Sequence, residues 1–249
     1  MRTHNRVMKH AYWIRKAHRW TSLVFSLVLL LASTSGLIHL WMTQTQSSPP
    51  STFPSSRTVL DIGRIHISPR EAAKKGLQSV SGYEVAQMQI RSIKEEPWYQ
   101  IFVKNIPKPI YVNALTGEID QLRDEIYARE IAQTIFFGSP MKKSNYLTSF
   151  DSEYIAIFRI LPVYRFDIDD GKGSRVYVST VTGSVTRATD NKKQWEANVF
   201  SLFHKWSFIR DQKLRNISLG LATIGVLLAS ISGLVLFGLT RRTKNSKYV

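Results

Sequence analysis

The sequence predicts an α+β protein in which two transmembrane helices flank a soluble region of two similar units, each a helix plus a small antiparallel sheet. Three observations predict it: two uncharged apolar runs near the ends of the 249 residues, positive charge concentrated beside them, and a motif that occurs twice between them. Lys and Arg outnumber Asp and Glu by 34 to 18, a net charge of +16. Residues 1–20 carry six basic side chains and no acid, residues 241–249 carry four more and no acid, and residues 42–191 are close to neutral. A basic stripe along a folded domain would point to nucleic acid. Charge gathered beside apolar runs points to a lipid bilayer, with no nucleic acid partner. The lack of cysteine excludes disulfides, iron–sulfur clusters, thiolate zinc sites and a cysteine nucleophile.

In chain order, residues 1–20 form a basic tail and residues 21–41 the first transmembrane helix. Thr21 to Leu40 holds no Asp, Glu, Lys or Arg, and about 20 apolar residues suffice for a helix to cross a bilayer. Trp20 and Trp41 bracket it as interfacial anchors. The run is longer than the roughly 7–15 residues of a signal-peptide core and no clear Ala-x-Ala site follows, which disfavours a cleaved leader. Residues 42–57, rich in Pro and Ser, read as an extended linker. The second span is 217–240, closed by Arg241 and Arg242, and 241–249 is a second basic tail. Basic loops stay in the cytoplasm, so both tails are expected there and the middle on the far side. Lys205, Arg210, Lys213 and Arg215, just before the second span, run against that rule.

The middle carries the repeat. Tyr111-Val112-Asn113-Ala114-Leu115-Thr116-Gly117 returns 66 positions later as Tyr177-Val178-Ser179-Thr180-Val181-Thr182-Gly183. Each copy reads as a strand entering a tight turn whose glycine supplies a positive φ. Tyr83 to Ile93, Trp98 to Val103 and Pro162 to Ile168 are further strand candidates. Ser68-Pro69 opens one helix, with Ser as N-cap and Pro at the first helical position, and Leu122 to Phe137 forms another. The first unit spans 58–121 and the second 122–191. Residues 192–216 read as an interfacial amphipathic helix, with Trp195, Val199, Leu202, Phe203, Trp206 and Ile209 on one stripe and His204 opposite Trp195. Gly225, Ala229 and Gly233 recur every four residues in the second span, and Ala32 and Gly36 repeat the spacing in the first. Such faces let helices pack closely in lipid, between the two spans or between two copies of the chain.

The doubled strand–Thr-Gly–strand signature resembles the PepSY repeat. Leu161-Pro162-Val163-Tyr164-Arg165-Phe166, followed by Asp167 to Gly171, is similar to the second unit of the PepSY-associated transmembrane family. Ala17-His18-Arg19-Trp20 and Phe203-His204-Lys205-Trp206 resemble that family's histidine-bearing segments beside its spans. The resemblance covers about residues 13–239. It implies a bacterial inner-membrane protein with a periplasmic double PepSY domain, acting as a non-catalytic interaction or regulatory module. The alternative it implies is a redox accessory carrying heme b in ferric-siderophore or other metal reduction. A homodimer or a membrane redox or iron-uptake partner would go with either. Larger members commonly have four or more spans; this chain shows two.

Histidine is the one metal- or heme-ligating residue type that the composition leaves credible. His18, His39 and His204 are the candidate cofactor-binding residues; the residues themselves call for no catalytic group, metal or certain cofactor. His18 and His39 lie 21 residues apart on one predicted helix, about 31 Å along its axis, so they cannot share an iron. His39 and His204 both belong to the far side and could pair only if His204 turned from its expected position. His4, His10 and His66 have no partner pattern. Asp167 to Gly173 lacks the final Glu of a calcium loop and reads as a hairpin turn. Asp151 and Glu153 have no cleft beside them in the sequence pattern.

Overall fold

The computed structural model describes residues 2–45, 59–78, 84–158 and 160–245, so most of the linker expected at 42–57 lies outside the described residues. The chain forms two compact units, one of Met1–Gln46 with Trp195–Val249 and one of Ser47–Gln194.

The first unit is helical. α1 runs Arg2–Thr45, well beyond the expected span at both ends, and α5 runs Gln212–Asn245 (α2 and α3 belong to the second unit). Each contains a stretch long and apolar enough to cross a membrane, Tyr12–Thr45 and Gln212–Leu239. Leu23, Leu27, Leu30 and Leu37 on α1, with Leu221 and Leu234 on α5, are 62–73% exposed. Leaving one such side chain in water forgoes about 1.5–3 kcal/mol; a hydrocarbon solvent removes that cost. The helices meet along the small-residue stripe of α5. A Cβ on Gly225 would fall 2.1 Å from the ring tip of Phe25, and one on Gly233 would fall 3.1 Å from the imidazole of His18. Of the two partners open to that stripe, the neighbouring span of the same chain occupies it.

The single helix expected over 192–216 is interrupted. α4 runs Asn191–His204 and closes when Ser207 N–H donates to the Ser201 carbonyl at 3.1 Å. Trp206 takes the left-handed turn of that closure at φ 52°. Asp211 then caps α5, its Oδ1 accepting from Leu214 N–H at 2.7 Å.

The second unit contains α2 (Pro69–Gln78), β1 (Val85–Ile93), β2 (Glu96–Val103), β3 (Ile110–Asn113), α3 (Arg123–Gln133), β4 (Met141–Leu147), β5 (Val163–Ile168), β6 (Arg175–Ser179) and β7 (Ser184–Thr189). They form two small antiparallel sheets, β1-β2-β3 and β4-β5-β6-β7. Ser68 Oγ accepts from Glu71 N–H at 3.2 Å, the cap expected for α2. Gly117 and Gly183 sit at φ 78° and 66°, as the repeated turn requires. After the first turn, strand pairing shrinks to the single bridge Val112–Ile119; after the second it extends as β7.

Strand alternation sends successive side chains to opposite faces, and that sorts the core into layers. Tyr99, Ile101 and Val112 face Ala72 of α2. Trp98 and Tyr111, one residue out of phase, face Ala128 and Ile131 of α3, which also packs on Tyr164, Phe166, Val176 and Val178 of the second sheet. Tyr177 and Val163 point to the far side of that sheet, against Tyr154. So the helix of the second repeat also covers the open face of the first, and the segment around Tyr154 covers the open face of the second.

Candidate functional site

His18 lies inside the α1–α5 seam. Its Nδ1 is 3.0 Å from the Ala229 carbonyl, 2.9 Å from Ser232 Oγ and 3.3 Å from Ser22 Oγ. A carbonyl only accepts, so Nδ1 carries a proton in that contact. Nδ1–H anchored on a backbone oxygen is an arrangement in which histidine can serve as a metal ligand through Nε2. Beside it lies a cleft of about 260 Å³ lined by Ser22, Phe25, Ser26, Leu29, Val226, Ala229 and Ser230.

His39 and His204 come together at the other end of this unit, around one phenyl ring. The His39 and Phe200 ring centroids are 5.1 Å apart, and Phe200 stacks on His204 at 4.6 Å with the planes 14° apart. His39 Nδ1 meets Glu196 Oε1 at 2.5 Å, and His204 Nδ1 lies 3.4 Å from Ser35 Oγ. Glu196, Phe200 and His204, spaced four apart, make the stripe of α4 that turns toward α1. The stripe expected to be buried in lipid holds the exposed Trp195, Leu202 and Phe203. His204 thus faces Ser35 of its own chain. For heme, the donor chemistry of His18 fits an iron ligand; the His39 and His204 rings each pack on Phe200, and their Nδ1 atoms are engaged by Glu196 and Ser35. Glu196 and Phe200 went unread in the sequence, although their i, i+4 spacing from His204 carried the signal.

The second unit holds a buried acid, Asp124, and a half-buried one, Glu153, each bound by a repeat tyrosine. Asp124, 2% exposed in the first turn of α3, accepts from Tyr111 OH on Oδ1 and from Tyr164 OH on Oδ2, both at 2.8 Å. Gln100 Nε2 donates to the Tyr111 hydroxyl at 2.7 Å and to the Thr180 carbonyl at 3.1 Å. Burial raises the Asp124 carboxyl above its ordinary value against the opposing hydrogen bonds of Thr180, Tyr111 and Tyr164. Burial and the adjacent Asp124 push both tyrosines up. In the second copy, Tyr177 OH donates to Glu153 at 2.6 Å, and Arg175 grips the same carboxylate through Nε at 2.6 Å and Nη2 at 2.8 Å. Burial alone would raise Glu153; the Arg175 and Tyr177 hydrogen bonds outweigh it and hold the carboxyl below its usual range. Asp151 Oδ1 accepts from the backbone N–H groups of Glu153 and Tyr154. Each acid therefore fastens a covering element to a sheet. Asp170 accepts from Lys172 and Ser174 N–H in the β5–β6 turn, with Gly171 and Gly173 at positive φ, the hairpin expected at Asp167 to Gly173.

No family model, no curated protein and no solved structure matches the chain.

Proposed function

We propose that this chain is a membrane-anchored interaction module, a PepSY-type double repeat held in the periplasm of a bacterium by two inner-membrane spans, and non-catalytic by itself. The observation that carries this reading is the seam of α1 and α5, in which Phe25 rests on Gly225 and His18 on Gly233. The seam lies between two apolar helices that both end in acid-free basic tails, and the α+β unit is inserted in the sequence between them. Within that unit Asp124 and Glu153 are spent on tyrosine and arginine partners, which supports a structural use of these two acids. The surface left for a partner includes the outer strands β1 and β4, each paired on one side only, which can accept a further strand. Photo-crosslinking residues placed at exposed positions of β4, starting with Lys142, in intact cells should give a discrete adduct in the membrane fraction. Cells that give none at β4 or at β1 would refute the module.

A second reading, the heme-bearing redox accessory, is favoured by the anchoring of His18, whose Nδ1 donates to the Ala229 carbonyl. Heme would supply one-electron transfer, and His18 would hold its iron together with a ligand from another copy. Protein purified from heme-replete cells should then show a Soret band that shifts on reduction and is lost in His18→Ala. Parent protein without a Soret band would remove this reading and leave the first.

A further inference from the structure

We infer that the junction between α4 and α5 binds the phosphate groups of anionic phospholipids through Lys205, Arg210 and Lys213. The inference rests on the reading of α5 as a membrane span. Lys213 is in the first turn of α5, four residues before the apolar run that opens at Ile217, about 6 Å along the axis. Connectivity therefore sets it at headgroup depth. All three cations are exposed, and among the described residues none has an ion-pair partner. Asp211, the one acid after Glu196 in the sequence, is occupied in capping α5.

Apolar side chains stand beside the charge. Trp195, Leu202 and Phe203, at 56%, 41% and 38% exposure, share one face of α4 by their spacing of seven and eight residues, and Phe208 in the junction is 64% exposed. The opposite requirement, contact with α1, is met by Glu196, Phe200 and His204 of the neighbouring stripe. A surface with aromatic groups at acyl depth and long cations reaching to phosphate matches an anionic membrane surface better than it matches a protein or a nucleic acid. It also accounts for cations placed against the positive-inside rule: a lipid phosphate offsets the cost of carrying them to the far side.

The test uses the full chain in neutral detergent, titrated with phosphatidylglycerol or with phosphatidylcholine, and bound lipid counted by native mass spectrometry. At about 1 kcal/mol per basic side chain near the surface, three cations predict a preference for phosphatidylglycerol on the order of a hundredfold at low salt. It should fall to within a few-fold in Lys205→Gln/Arg210→Gln/Lys213→Gln and fade with added salt. It should persist in Lys205→Arg/Lys213→Arg and in a variant with Arg2, Arg6 and Lys9 replaced by Gln. Each single Gln variant should lose roughly fivefold, which keeps the test open if the triple variant fails to fold. Unchanged preference in the Gln variants, loss of preference on neutralising the N-terminal tail, or displacement of the lipid by inorganic phosphate would each overturn the inference. Failure of the anchor itself would show separately, as parent protein that carbonate extracts from membranes.

Discussion

Filling Gly225 should force the two apolar helices apart. A Cβ at that position falls 2.1 Å from Phe25 Cζ and 2.3 Å from both Cε atoms, where carbon atoms ordinarily rest about 3.5–4.0 Å apart. The shortfall, about 1.5 Å, must be met by swinging the ring out of the seam or by separating the helices. Overpacking of this kind costs about 1–3 kcal/mol, and lipid gives no hydrophobic compensation, because its tails are as apolar as the phenyl ring. Phe25→Ala alone leaves a gap, losing contacts worth about 0.1–0.2 kcal/mol each. In Phe25→Ala/Gly225→Ala the new methyl enters that gap, so the double variant should recover about 1–2 kcal/mol relative to the sum of the singles. Because the chain has no cysteine, cysteines introduced at Lys16 and Leu234 can carry a dye pair. Energy transfer between them, followed as dodecyl sulfate displaces neutral detergent, reads helix association directly. Single-variant effects that add to within about 0.5 kcal/mol would show that Phe25 and Gly225 do not meet and would refute the seam.

Replacing either repeat glycine by Ala should destabilise the α+β unit, by about 1–2 kcal/mol for the left-handed backbone alone. Gly183→Ala should cost more than Gly117→Ala: its Cβ meets Tyr127 Oη at 2.7 Å in the core, whereas that of Gly117 meets the flexible end of Lys75. Equal thermal midpoints for parent and both variants would count against the turn. Asp124 makes stability depend on pH. Its folded carboxyl is raised above 3.8, so its contribution is complete below that value and is lost as pH rises through the folded value. Asp124→Asn should therefore flatten the decline of the thermal midpoint above about pH 4; parallel pH profiles for parent and variant would contradict the buried charge.

Features that rest on local chemistry were legible in the sequence. Ser68-Pro69 marks a helix start because its cap is made within four residues, and Gly117 and Gly183 mark turns because only glycine takes a positive φ without strain. The apolar runs are legible because a helix long and apolar enough to cross a membrane carries that composition on every face. What stayed hidden depends on partners far along the chain. The stop of α4 at His204 carries no Gly or Pro over 205–211; Trp206 supplies the left-handed residue instead. β4 reads as polar, Met141-Lys142-Lys143-Ser144-Asn145, since an edge strand is protected by charge rather than marked by alternation. The use of α3 by both sheets follows from Tyr111 and Tyr177 facing away from their own repeat's helix. The sequence pairs the two tyrosines but does not say that Asp124 and Glu153 will meet them. At the histidines, charge and spacing located His18, His39 and His204 near span ends, while the packing of two of them on Phe200 became visible only once α4 lay against α1.

The central claim is that two membrane spans hold the α+β unit on the side opposite the basic tails. Single cysteines at Lys172, in the exposed β5–β6 turn, and at Thr3 and Ser246 in the tails test it on a background without cysteine. A membrane-impermeant maleimide applied to intact spheroplasts should label Lys172→Cys fully and reach Thr3→Cys and Ser246→Cys only after the membrane is opened. Labelling of the tail cysteines in intact spheroplasts with Lys172→Cys protected would contradict it.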